Sequence, residues 1–221
     1  MHRLFFVEGL KSVSELLNSG LKEHLILATA QKAPEIPSDN IQLISENDLK
    51  QLSALHTPSG VLGVFEIPEP EAARYDDWVV ALDSVQDPGN LGTIIRLCDW
   101  FGVKQLICSQ GTVDCYNPKT LQATMGSIAR VAVNYVDLDT LLADQPLPVY
   151  GAFMGGTSMH QQQLPNKGIL VLGNEANGIS VDVTDKITTR IAIPQFGNQH
   201  TESLNVATAS AILLAEVRRP R

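Results

Sequence analysis

Six short apolar runs, at 78–82, 105–108, 131–136, 148–153, 169–172 and 187–193, constrain the fold of this 221-residue chain more than any other feature. Helical patterns lie between most of them, at 92–101, 118–127, 138–144 and 203–218. A strand that is apolar at nearly every position must be covered on both faces. Such strands alternating with helices predict a largely parallel α/β sheet with helices on each side. In open sheets of that kind, ligands sit beyond the carboxyl ends of the strands.

The first third reads as a smaller α/β unit. A helical pattern over 10–17 is closed by Gly20, strand-like runs follow at 24–28 and 41–44, and Ser45 precedes a helical pattern carrying Leu49 and Leu52, with Asp48 as a weak capping partner. A further strand is read at 60–67. PEPEAARYDD, 68–77, combines two prolines with charge and lacks apolar periodicity, so it reads as an exposed connector. The expected organisation is therefore a small unit over 1–67, a linker over 68–77 and a larger domain over 78–221.

With 44% hydrophobic residues the chain can bury a full core and still support the small unit. The opening apolar run, Leu4 to Val7, ends at Glu8, too early for a signal sequence or a membrane span, so a cytoplasmic protein is expected. Cys98, Cys108 and Cys115 form no CxxC pair, and the five histidines show no HExxH spacing, so neither a disulfide framework nor a metal site is expected. The net charge of −8 excludes a protein that coats itself in nucleic acid, but not an enzyme with a local basic patch. Arg218, Arg219 and Arg221 are the candidates for such a patch.

Three segments carry candidate chemistry. In ALDSVQDPGNLGTIIRLCDWFGV, 81–103, an apolar strand runs through a turn assigned to Pro88 and Gly89 into a helix. Asn90 falls near the helix start, and Arg96 lies among Ile94, Ile95 and Leu97, where it is expected to reach a cleft. An ordinary strand-turn-helix connection explains the proline and glycine equally well. In GILVLGNEANGIS, 168–180, a strand ending at Leu172 enters a glycine-bounded loop, where Gly173 lets a ligand approach the backbone. Glu175 either caps the next helix or bonds a substrate. In IAIPQFGNQHTESLNVATASAILLAEVRR, 191–219, a polar loop leads to a helix uncharged from Val206 to Ala215, which must be buried in the core or against a partner. Ser203 and Asn205 stand at its start, where helix capping is the default role. Neither a dinucleotide-binding GxGxxG in the first turn nor a phosphate-binding GK[ST] loop is present.

Together these segments resemble motifs 1, 2 and 3 of the SpoU (TrmH-like) RNA 2′-O-ribose methyltransferases of the SPOUT superfamily, in that family's order and at similar spacing. FFVEGLKSVSELLNSG and SGVLGVFEIP are similar to the small L30e-like substrate-binding domain that many members carry. The resemblance implies a trefoil-knotted methyltransferase domain, a homodimer, S-adenosylmethionine as cofactor and RNA as substrate, with ribosomal RNA favoured over transfer RNA. A base methyltransferase or a non-catalytic RNA-binding assembly module on the same fold stays open as an alternative. Carried over by position, Asn90, Arg96, Glu175, Ser203 and Asn205 match the polar catalytic or RNA-facing set. Leu172, Gly173, Ile193 and Leu204 match the cofactor-binding set. Two departures accompany the match: the loop 195–202, with Gln199 and His200, is slightly longer than in many relatives, and the basic helix many members carry ahead of FFVEG is not in this chain. A partner or the dimer is expected to supply that surface.

Overall fold

The structure is a computed structural model describing residues 3–196 and 202–220. Gln199, His200 and Arg221, named above, lie outside the described residues. The first lobe comprises β1 (Leu4–Glu8), α1 (Leu10–Asn18), β2 (Glu23–Ala28), β3 (Ile41–Leu43), α2 (Glu46–Leu52) and β4 (Val61–Glu66). Its strands form one sheet in the order β1-β4-β2-β3, antiparallel at both edges of β4 and parallel between β2 and β3. Strand β1 was not expected: its apolar run alternates, with Phe5 and Val7 buried and their neighbours partly exposed, and only pairing with β4 reveals that face. The cap at Ser45 is present, its hydroxyl oxygen accepting from the Asp48 amide at 3.1 Å.

The second lobe follows the expected alternation, with β5 (Val79–Leu82), α3 (Pro88–Trp100), β6 (Gln105–Ser109), α4 (Pro118–Thr124), β7 (Ala132–Val136), α5 (Leu138–Ala143), β8 (Val149–Ser158), β9 (Ile169–Leu172), α6 (Val181–Thr184), β10 (Thr189–Ala192) and α7 (Val206–Val217). Its six strands are ordered β10-β8-β9-β5-β6-β7, and every pairing is parallel. The central strands β5 and β9 are buried at all four positions, as near-continuous apolar runs require. Helix α3 buries Leu91, Gly92, Ile94, Ile95 and Cys98. A side chain at Gly92 would stand 2.4 Å from the Thr120 carbonyl oxygen, so glycine is what lets α3 and α4 approach.

The lobes share one hydrophobic core, in which Phe5, Val13 and Leu16 of the first cluster with Leu121 and Ile128 of the second. The Phe5 ring lies 4.8 Å from that of Tyr116. Arg130 reinforces the junction: its Nε donates to both Asp99 oxygens, at 3.2 and 3.0 Å, and its Nη1 donates to Glu15 of α1 at 3.0 Å. The segment 68–77 is largely exposed, yet it is tied down. The Arg74 amide donates to the Gln105 side chain at 2.7 Å, and Ala73 and Tyr75 pack on the second core cluster. Isolated apolar residues in a charged stretch carry no periodicity, so these anchors were not legible.

Of the C-terminal basic cluster, Arg218 and Arg219 are both paired. Arg218 grips Asp77 with two bonds of 2.8 and 2.7 Å, and Arg219 pairs with Glu216 at 2.6 Å. The Arg218 hydrogen bonds hold the Asp77 carboxyl below the usual carboxylate range. Both cations are thus spent on internal pairs.

Candidate functional site

The carboxyl ends of β5 and β9 and the entry to α7 converge on one polar cluster. Helix α3 starts at Pro88, four residues before the expected helical pattern, because Asp87 caps it: the Asp87 carboxylate accepts from the Asn90 amide at 2.7 Å. Pro88 and Gly89 therefore form the first helical turn, where a proline's missing N–H costs nothing. The reversal assigned to them is made instead by Ser84, at φ 60°, a left-handed conformation rare outside glycine. Ser84 is held there from three sides. Its amide donates to the Ser109 hydroxyl at 2.8 Å, its hydroxyl to buried Asp83 at 3.2 Å, and its carbonyl accepts from the Asn174 side chain at 2.7 Å.

Beyond β9 the loop folds on itself. The main chains of Asn174 and Gly178 exchange two hydrogen bonds of 2.9 and 3.0 Å, and the Asn174 side-chain oxygen accepts from the amides of Ala176 and Asn177. Gly173 lies so close under the return that a side chain there would meet the Gly178 carbonyl carbon at 2.2 Å. Glu175 does not cap α6, whose N-cap residue is Ser180. It reaches across to the start of α3, where its carboxylate accepts from the Asn90 side chain at 2.9 Å and from the amides of Gln86 and Asp87 at 3.4 Å each.

Asn205 completes the cluster. Its Oδ1 caps α7 by accepting from the amides of Ala207 and Thr208, at 2.9 and 3.2 Å, while its Nδ2 donates to Asn90 Oδ1 at 2.8 Å. The capping role and the site role belong to the two ends of one amide. A directed relay results, from Asn205 to Asn90 to Glu175. Each amide is oriented by it, and one further N–H on Asn90 and one on Asn205 have no partner among the described residues.

The remaining expected residues are placed around this relay. Arg96, two turns further along α3, does not enter a cleft: it is exposed and has no hydrogen bond or ion pair among the described residues. Ser203 and Leu204 are also exposed, and Ser203 is not the cap. Leu172 is buried at the end of β9, Gly173 is partly buried, and Ile193 packs part-buried against the core. Asp83, Asp87 and Asn174 were not singled out from the sequence. An Asp directly before a helical proline is a start signal that would have found Asp87; nothing in the pattern marks the other two.

The residues expected to face a cofactor, Leu172, Gly173, Ile193 and Leu204, offer apolar side chains and backbone polar groups without charge. Leu204 keeps 46% of its surface exposed beside Asn205. That chemistry fits the uncharged adenosine part of S-adenosylmethionine, whose recognition needs apolar walls and a few placed amides. Among the described residues no group of three or more His, Cys, Asp or Glu could hold a metal ion, and no helix is long and apolar enough to cross a membrane.

Residues 77–215 match the model of the SpoU rRNA Methylase family. The chain is 32% identical to the 23S rRNA (guanosine(2553)-2′-O)-methyltransferase RlmP of Bacillus subtilis (strain 168), over 97% of this chain and 88% of that protein. Among solved structures it is similar to a TrmH-family protein from Porphyromonas gingivalis, with 38% identity and a TM-score of 0.90, covering 98% of this chain and 90% of that one. It is also similar to an AdoMet-bound rRNA methyltransferase from Sinorhizobium meliloti, with 28% identity and a TM-score of 0.86, covering 98% and 87%.

Proposed function

Since the chain belongs to the SpoU rRNA methylase family, we propose that it transfers a methyl group from S-adenosylmethionine to a ribose 2′-hydroxyl of ribosomal RNA, acting as a cytoplasmic homodimer. The observation that carries this reading is the relay of Asn205, Asn90 and Glu175 at the strand carboxyl ends, with Arg96, unpaired among the described residues, exposed on the same helix as Asn90. One feature of each motif meets there.

The cofactor, when bound, supplies an activated methyl on a sulfonium, so the protein's task is to orient the acceptor and manage its proton. Leu172, Gly173, Ile193 and Leu204 would hold it. A guanidinium keeps its proton under physiological conditions, so we assign Arg96 to the RNA phosphate beside the target ribose and to the negative charge that develops on its oxygen. The proton passes to phosphate or water. Asn90 and Asn205 have N–H donors to spare for the ribose; the first amides of α7 fix the Asn205 amide and Glu175 holds that of Asn90. Ser203, exposed at the mouth of the loop, completes the RNA-facing set.

Two further parts belong to this reading. Residues 1–67 act as the RNA-binding unit and 68–77 as the link to the domain over 78–221, knotted as in the family. The dimer uses α7, whose stripe of Thr208, Ala211, Ile212 and Ala215 is uncharged and left partly or fully exposed. Trp100, at the end of the helix packed on α7, is 83% exposed. Such apolar surface marks an interface.

The test is incubation of the protein with labelled S-adenosylmethionine and unmodified ribosomal RNA, followed by digestion to nucleosides and mass spectrometry. A 2′-O-methyl nucleoside is expected. Label on a base, on transfer RNA alone, or nowhere would overturn the corresponding part of the assignment.

A further inference from the structure

Glu175 is loosely held by its own bonds: two of its three contacts to α3 and the preceding turn are 3.4 Å long, and only that with Asn90, at 2.9 Å, is short. Something else must place its main chain. One residue earlier, the Asn174 side chain spans two loops. Its Oδ1 accepts from the Ala176 and Asn177 amides at 2.9 and 3.0 Å, closing the Glu175 loop, while its Nδ2 donates at 2.7 Å to the carbonyl of Ser84 in the turn before α3. That carbonyl belongs to the residue held at φ 60°. The bond therefore ties the strained turn that launches α3, and with it Asn90, to the loop that carries Glu175.

We propose that Asn174 is a positioning residue for methyl transfer, using its Nδ2 bond to the Ser84 carbonyl to set the Glu175 carboxylate against Asn90. The inference rests on the function proposed above and assigns that site a member outside its first-named residues. Asn174 touches no reacting atom; it acts through Glu175. A second strut runs alongside, from the Ser180 amide to the buried Asp83 carboxylate at 2.7 Å, and it holds the far end of the same loop. That strut leaves Glu175 itself, five residues earlier, free to shift, which is the motion the Asn174 bond prevents.

The two ends of the amide can be separated by substitution. Asn174→Asp keeps an oxygen for the loop amides but turns a second acceptor toward the Ser84 carbonyl. Asn174→Ser keeps a shorter loop-closing acceptor and reaches Ser84 with nothing, without adding charge. Misplacement of a catalytic group by about an ångström costs on the order of a hundredfold in turnover, and a fall of roughly ten- to a hundredfold in kcat is expected for both variants. S-adenosylmethionine affinity should stay within about threefold, because its donor set is untouched.

The deciding measurement is a double-mutant cycle with Glu175→Ala on ribosomal RNA, joined to crystal structures of both single variants. If Asn174 works through Glu175, neither variant lowers kcat further in the Glu175→Ala background, and the crystal structures show the Glu175 to Asn90 contact broken. Losses that multiply in the double variants, full turnover in Asn174→Ser, or an unchanged contact would each overturn the inference. Should Asn174→Asp fail to fold, the serine arm carries the same cycle. Absence of ribose methylation by the parent protein would count against the proposed function, and the crystallographic contact would still decide the role of Asn174.

Discussion

Asn205 and Asn90, 115 residues apart in sequence, are joined by a hydrogen bond of 2.8 Å whose direction is dictated by a helix. Because Asn205 Oδ1 is taken by the first amides of α7, only its Nδ2 can face Asn90, and Asn90 must then turn its own Nδ2 to Glu175. The capped amides of α7 thereby orient a side chain on α3. Asn205→Asp separates the roles. As a cap, Asp equals Asn, so stability should change by no more than about 0.5 kcal/mol, whereas Asn205→Ala should lose about 1 kcal/mol. Turnover should collapse in both. Chemical denaturation alongside methyl-transfer rates checks this, and a fully active Asn205→Asp would show that the donor is not needed.

Arg96 is exposed and unpaired among the described residues, so it contributes little to folding. Arg96→Ala and Arg96→Lys should each change stability by less than about 0.5 kcal/mol, the usual range for surface positions. Both should lose nearly all turnover while retaining cofactor affinity. A lysine variant with a near-normal rate, measured under single-turnover conditions, would contradict a two-pronged grip on phosphate.

Glu175 is exposed too, and no helix depends on it for a cap. Glu175→Ala should therefore depress kcat by far more than it depresses the melting temperature. An equal fall in both would assign the residue to loop structure.

The Asp99 and Arg130 pair at the lobe junction gives a pH-dependent prediction. Partial burial raises the Asp99 carboxyl, but the hydrogen bonds from Arg130 and Ser127 and the guanidinium charge outweigh it, and the net shift is downward. A carboxyl lowered in the folded state contributes stability above its unfolded value and loses it as pH falls through the folded one. Asp99→Asn should cost about 1–3 kcal/mol at neutral pH, a cost that shrinks as the solution is acidified below about pH 4. Urea titrations of both proteins at neutral and acid pH measure it. Because Arg130 also holds Glu15, Arg130→Ala should raise KM for a folded RNA more than it lowers kcat.

The open stripe of α7 is testable by charge. Ala215 is exposed in the single chain, so Ala215→Arg leaves the protomer's packing intact. Sedimentation should show a dimer for the parent and a monomer for the variant; identical sedimentation would move the interface elsewhere.

The parallel architecture was legible because runs such as Val79–Leu82 and Ile169–Leu172 are apolar at every position, and burial on both faces leaves no alternative. Most helices were legible by the spacing of their apolar residues, whereas Asn90, Glu175 and Asn205 stood out only through the resemblance of their segments to family motifs, local pattern alone allowing ordinary turn and capping roles. Strand β1 was not, since five residues alternating about one buried face look like any short apolar run until β4 lies beside them. Nor could local pattern reveal that Pro88 opens a helix while Ser84 makes the reversal: the left-handed turn is stabilised by Ser109 and Asn174, brought in from other strands. Side-chain period and propensity act over a few residues, and they determined which segments are strands and helices and which loops are polar. What a polar residue bonds across 115 positions depends on which strand ends are neighbours, and only the tertiary structure decided that Asn205, Asn90 and Glu175 form one chain of hydrogen bonds while Arg218 and Arg219 are consumed in pairs.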